Sequence, residues 1–210
     1  MNFQWKKWSV LPVVVLAAGT VAFAQDQPPS ASDPKPKTEV GQRKENQQDR
    51  IAQGVQSGQL TAGETANLEK KEAAINAETR ADRAVNGGKL TPAEKAQVNR
   101  QQNRLSNQIY RDKHNANTAH YGNNEVGQRR ENQQDRIAQG IKSGQLTSGE
   151  TAKLENQQRA INHQVATDRA ANGGKLAAGE KTQINHEQNK ASRNIYNKKH
   201  NARTQPGTKK

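Results

Sequence analysis

The stretch SGQLTAGE (57–64) decides the fold. It returns as GGKLTPAE (87–94), SGQLTSGE (143–150) and GGKLAAGE (173–180). Thr-x-x-Glu is the chemistry of a helix start. The Thr hydroxyl accepts from the first free backbone N–H groups, and Glu three residues on reaches back to the cap's own N–H. Pro92, after Thr91, is tolerated at the first helical position. The glycines ahead of each Leu (Gly58, Gly87, Gly88, Gly144, Gly173, Gly174) suit a helix end that needs a left-handed residue. The octapeptide therefore reads as stop, turn, a Leu tucked into the core, start. Ala177 breaks the box in the fourth unit, at an expected cost of about 1 kcal/mol.

The octapeptides lie in a tandem duplication. Residues 39–117 align with 125–203 without gaps, and roughly 60% of positions are identical, the mark of a repeat architecture. Gln, Asn, Glu, Lys, Arg and Ala dominate, and these favour helix over strand. Helices are predicted over about 40–56, 62–85 and 92–113. Ile51 and Val55 mark one face of the first, Leu68 and Ile75 of the second, and Val98, Leu105 and Ile109 of the third. Each stripe is narrow and helical in period. The second copy repeats the pattern with Ile137, Ile141, Leu154, Ile161, Ile184 and Ile195, except that Ala191 replaces Leu105. No period-2 alternation suggests a strand. The expected class is all-α, as two small three-helix units.

The flanks differ. Lys6 and Lys7 precede an apolar run over 9–21, and Ala22-Phe23-Ala24 fits a small-x-small cleavage site. The expectation is an export signal (1–24) cut after Ala24, with the mature protein periplasmic or secreted. There is no cysteine, so neither a lipid anchor on cysteine nor a disulfide is available. Residues 25–38 read as a Pro-rich linker, 118–124 as a short linker, and 204–210 as a frayed basic tail. The full chain carries +13; the signal takes two lysines and no acid with it. In the remainder Leu, Ile, Val and Phe make up only about a tenth of residues, below the roughly 20% level that hints at disorder. Any core is thin.

Two resemblances follow. Counting twelve residues back from Glu94 places Gly88 at position six and Leu90 at eight, as in an EF-hand loop. The oxygen ligands at positions one, three and five are missing, because Arg83, Val85 and Gly87 stand there. Calcium binding is not expected, and no cofactor is implied. The stretches LTAGE (60–64), LTPAE (90–94) and LTSGE (146–150) resemble the LTxxQ motifs of periplasmic helical chaperones of the Spy and CpxP type, with Glu in place of Gln. The fourth, LAAGE (176–180), departs. That resemblance implies an exported, ATP-independent chaperone with a basic concave surface.

No nucleophile–base set for catalysis is visible, so an enzyme is not expected. The five histidines (114, 120, 163, 186, 200) suggest no converging ligand set; His114 and His200 sit in equivalent KHNA stretches, where a cation complements a helix C-terminus. Most carboxylates read as caps or as i,i+4 partners of Lys and Arg. The distinctive feature is basic. Arg100, Arg104 and Arg111 lie opposite the apolar stripe of the third helix, and His186, Lys190 and Arg193 hold nearly the same sector in the second copy. No acid occurs over 188–210. Such stripes attract an anionic surface or polymer, or an acidic unfolded protein client. Nucleic acid is disfavoured, since outside the signal only Tyr110, Tyr121 and Tyr196 could stack bases. The expected function is a non-enzymatic, chaperone-like binding module. The alternative is a hydrophilin-like or late-embryogenesis-like protective protein, largely disordered in water, to which a mean hydropathy of −1.18 points.

Overall fold

The computed structural model describes residues 38–205. The expected export signal, most of the Pro-rich linker and 206–210 lie outside them. The described chain is all-helical: α1 Glu39–Gln56, α2 Ala62–Val85, α3 Pro92–Lys113, α4 Glu125–Lys142, α5 Ser148–Ala171 and α6 Ala178–Lys199.

The octapeptide chemistry positions these ends. Thr61 and Glu64, Thr91 and Glu94, and Thr147 and Glu150 each form a complete capping box. Ala177 makes no side-chain cap, although Glu180 still accepts from its backbone N–H at 2.8 Å. Gly58 and Gly144 take φ of 70° and 69°, the left-handed conformation the turn requires. The turn then brings Leu60 N–H to the carbonyl of Gly54 at 2.9 Å, and Leu146 N–H to Gly140 at 3.0 Å. Both leucines are buried; Leu90 and Leu176, in the second octapeptide of each copy, are only half-buried.

Gly54 is where α1 admits this leucine. A Cβ there would sit 2.6 Å from Leu60 Cδ1 and 2.7 Å from Cγ. Gly54→Ala is therefore expected to destabilise the protein. The overpacking penalty of about 1–3 kcal/mol exceeds the roughly 1 kcal/mol that Ala gains over Gly in a helix. A lower urea midpoint checks this, and Gly140→Ala against Leu146 should behave alike.

The two copies do not form two separate bundles. One buried cluster joins Ile51, Val55, Leu60, Leu68, Leu105 and Ile109 of the first copy to Ile137, Ile141, Leu146, Leu154 and Ile195 of the second. Equivalent helices meet: α1 packs on α4, and α2 on α5, while α3 flanks α1 and α2, and α6 flanks α4 and α5. Gly63 on α2 lies against Arg159 on α5, and Ala73 further along α2 shares a hollow with Ser148 and Gly149 at the start of α5. The two helices thus run antiparallel, and each copy offers the same surface to the other. The reason is size. A stripe of two or three aliphatic side chains per helix buries too little area for a unit of this length to stand alone. Pooling both sets makes one core.

Ala191 has a visible consequence. In the first copy Leu105 belongs to the common core. In the second, Val126, Ile161, Val165, Ile184 and Ala191 form a separate small cluster. Val165, standing where the first copy has Thr79, helps fill the space.

The connecting segments are docked. After α3 the chain returns to the first octapeptide turn, where Ala119 N–H donates to Gly58 O at 2.8 Å. After α6, Gln205 N–H donates to Gly144 O at 2.9 Å. Gln205, expected in the frayed tail, is buried; its Oε1 accepts from Ser148 N–H at 2.9 Å and its Nε2 donates to Ser148 Oγ at 2.6 Å.

Candidate functional site

Arg100, Arg104 and Arg111 stand on α3, and His186, Lys190 and Arg193 on α6, all six exposed. The two helices do not touch. The structure therefore places two basic surfaces on the two outer helices and does not bring the six residues together. Ion pairs among the described residues join Arg43 and Lys95 to Glu39, and Lys181 to Glu125, and engage none of the six. Arg104 and Arg111 also line a cleft of about 450 Å³ between α2 and α3.

The glutamates of the octapeptides accept from the backbone N–H of their own helix caps. Glu64 Oε2 accepts from Thr61 N–H at 2.9 Å, and its Oε1 from Asn115 Nδ2 at 2.8 Å. Glu94 accepts from Thr91 N–H and Asn86 Nδ2. Capping absorbs the carboxylate that an EF-hand loop would turn on its ion. Among the described residues, no three His, Asp or Glu side chains converge as a metal site. His114 and His200 each pair Nδ1 with a carbonyl one turn back, that of Tyr110 or Tyr196, at 2.7 Å, and stack on the same tyrosine's ring.

Sequence reasoning missed a polar layer inside the bundle. Gln47 Nε2 donates to Gln102 O at 2.7 Å, and Gln102 Nε2 to Val40 O at 2.9 Å, clamping α1 to α3. Gln133 and Gln188 repeat the clamp between α4 and α6, with the same two distances. Deeper still lie three carboxyls. Glu69 on α2 and Glu155 on α5 are equivalent residues near the middle of the antiparallel pair, and Glu72 stands one turn on; all three are 0% exposed. Gln48 Nε2 meets Glu69 at 3.3 Å, and Gln134 Nε2 meets Glu155 at 3.0 Å. One oxygen of Glu155 has no hydrogen bond, while Ser148 beside Glu69 and Asn76 beside Glu72 partly offset the burial of those two.

Burial dominates their acidity. It pushes Glu69 up to about 7 and Glu155 up to about 8, with Glu69 adding to the effect on Glu155. Burial and then the neighbouring Glu69 push Glu72 up to about 8. Lys44 on α1 opposes this for Glu72, but its ammonium donates to Asn76 Oδ1 at 3.0 Å, and burial lowers its own pKa. In the second copy Gln158 replaces Glu72 and Arg130 replaces Lys44. Arg130 lies over the Tyr121 ring, 5.2 Å from its centroid.

A sequence signal for this layer existed. Thr65, Glu69 and Glu72 fall at i, i+4 and i+7, one helix face. Thr65 and Glu69 recur as Thr151 and Glu155, while their neighbours Lys70, Lys71 and Ala73 change to Asn156, Gln157 and Arg159.

Compared with known protein families, curated proteins and solved structures, the chain matches none.

Proposed function

We propose that this protein is a non-enzymatic binding module that holds an anionic polymer or surface on its two outer helices, outside the cytoplasm after export. The observation that carries this is the exposure of all six basic side chains on α3 and α6 with no carboxylate at ion-pairing distance from them. Unneutralised cations on an open surface attract polyanions through counterion release. An apolar unfolded client has less to bind. The large exposed apolar side chains among the described residues are Val85, Tyr110 and Tyr196, and both tyrosines carry a stacked histidine.

The test is retention on immobilised heparin. The wild-type protein should bind at low salt and elute as salt rises. Changing Arg100, Arg104, Arg111, His186, Lys190 and Arg193 together to Glu should abolish retention, with the far-UV circular dichroism unchanged. Retention of the six-fold variant at the same salt would refute the role of these helices.

A further inference from the structure

The two copies diverge in chemistry where α2 faces α3. In the first copy Lys71, Arg104 and Arg111 surround the cleft of about 450 Å³, with Ile75 and Leu105 beneath them. One acid, Glu78, shares the wall, and its two oxygens are taken by Gln97 Nε2 and Gln101 Nε2 at 2.6 Å each. Lys71 Nζ donates to Gln108 Oε1, a bond that ties α2 to α3. The Arg104 and Arg111 guanidinium groups make no hydrogen bond or ion pair among the described residues.

The second copy serves as an internal control. Gln157 stands for Lys71, Lys190 for Arg104, Ala191 for Leu105, Arg193 for Asn107 and Asn197 for Arg111, while Gln164 replaces Glu78 and Glu187 replaces Gln101, so the wall carries two cations and one acid against three and one in the first copy. The tie between helices survives these changes, because Asn194 Nδ2 donates to Gln157 Oε1 at 3.0 Å. Bridging the helices therefore does not require a lysine. Lys71 and Arg111, the two cations that the second copy replaces with neutral residues, exceed what the fold needs.

We infer that the α2–α3 cleft of the first copy binds one small amphipathic anion, a single carboxylate or sulfonate head on an apolar body. Arg104 and Arg111 present planar forks that match a carboxylate or sulfonate, and Lys71 adds a point charge. The aliphatic stems of all three, with the Ile75 and Leu105 floor, cover the body. The size agrees, since small-molecule sites span about 300–1,000 Å³. This narrows the anion-binding reading above, on which it rests, from the outer surface to one open cleft.

Titration calorimetry of the whole protein with decanoate, and displacement of bound 1-anilinonaphthalene-8-sulfonate by decanoate, test it. One saturable site per chain is expected. Lys71→Gln, Leu105→Ala and Arg111→Asn together, each introducing the residue the second copy already carries, should weaken decanoate at least tenfold. The reciprocal Gln157→Lys, Ala191→Leu and Asn197→Arg should raise the stoichiometry towards two. Equal decanoate affinity in the wild type and the first variant, or no saturable binding by the wild type, overturns the inference. Heparin retention that persists while wild-type decanoate binding is absent overturns the cleft alone; loss of both overturns the anion-binding reading as well.

Discussion

Raising the pH from 5 to 8.5 is expected to lower the melting temperature of this protein by roughly 20–40 °C. The cause is the buried layer of Glu69, Glu72 and Glu155, whose carboxyls titrate near 7, 8 and 8 in the folded state. Unfolded, each would titrate near 4.5. Folding thus takes up protons between about pH 4.5 and 8. The stability these groups contribute is fully present below the unfolded value and is lost as pH rises through the folded ones. A shift of one unit corresponds to about 1.4 kcal/mol, and a domain is stable by only about 5–15 kcal/mol, so the change is a large part of the total. The caps act at the other end. Partial burial raises Glu64 and Glu150, but hydrogen bonds from Thr61 and Asn115, and from Asn201 and Thr147, outweigh it and hold both below the usual range. Their contribution is lost as pH falls below about 4.5, so maximum stability is expected near pH 5. Melting followed by circular dichroism across this range checks the sign. Replacing Glu69, Glu72 and Glu155 by Gln should flatten the decline above pH 5. A triple variant that still declines as steeply would show that the layer is not its source.

The second large effect concerns the copies themselves. Residues 39–117 alone are expected not to form a stable monomeric three-helix bundle. Removing the second copy strips α4 from α1 and α5 from α2, and opens the common core beside Ile51, Val55 and Leu68. The exposed surface is self-complementary, because α1 normally meets the equivalent α4, and α2 the equivalent α5. Two copies of the fragment should pair about a twofold axis, as in isologous homodimers. Sedimentation should show a dimer whose melting temperature rises with concentration. A monomeric fragment with a cooperative, concentration-independent melt would contradict this.

Much of the helical layout is legible in the sequence because caps are local chemistry. Thr61, Thr91 and Thr147 mark helix starts to the residue, and the glycines mark the ends. The apolar stripes give the core of each helix. What stays hidden is how the copies meet. The face of α2 that packs on α5 carries Thr65, Ala66, Glu69 and Glu72, all at 0% exposure. A hydrophobic period does not register small and acidic side chains, and Glu beside Lys70 and Lys71 reads as a solvated ion pair. Comparing the copies with each other exposes the face, since Thr65 and Glu69 repeat while their neighbours drift. The same comparison brings out the α2–α3 cleft through its differences. The basic residues were legible as outward-facing, but their division between two helices that do not touch is a property of packing, which no helical wheel contains.

Calorimetry of the whole protein at pH 5 tests whether the two copies share one core. A single transition is expected, with the calorimetric enthalpy equal to the van't Hoff enthalpy, as for one cooperative unit. Two resolved transitions, or a calorimetric enthalpy near twice the van't Hoff value, would mean that the copies fold as independent bundles and that Glu69 and Glu155 do not face each other across a common core.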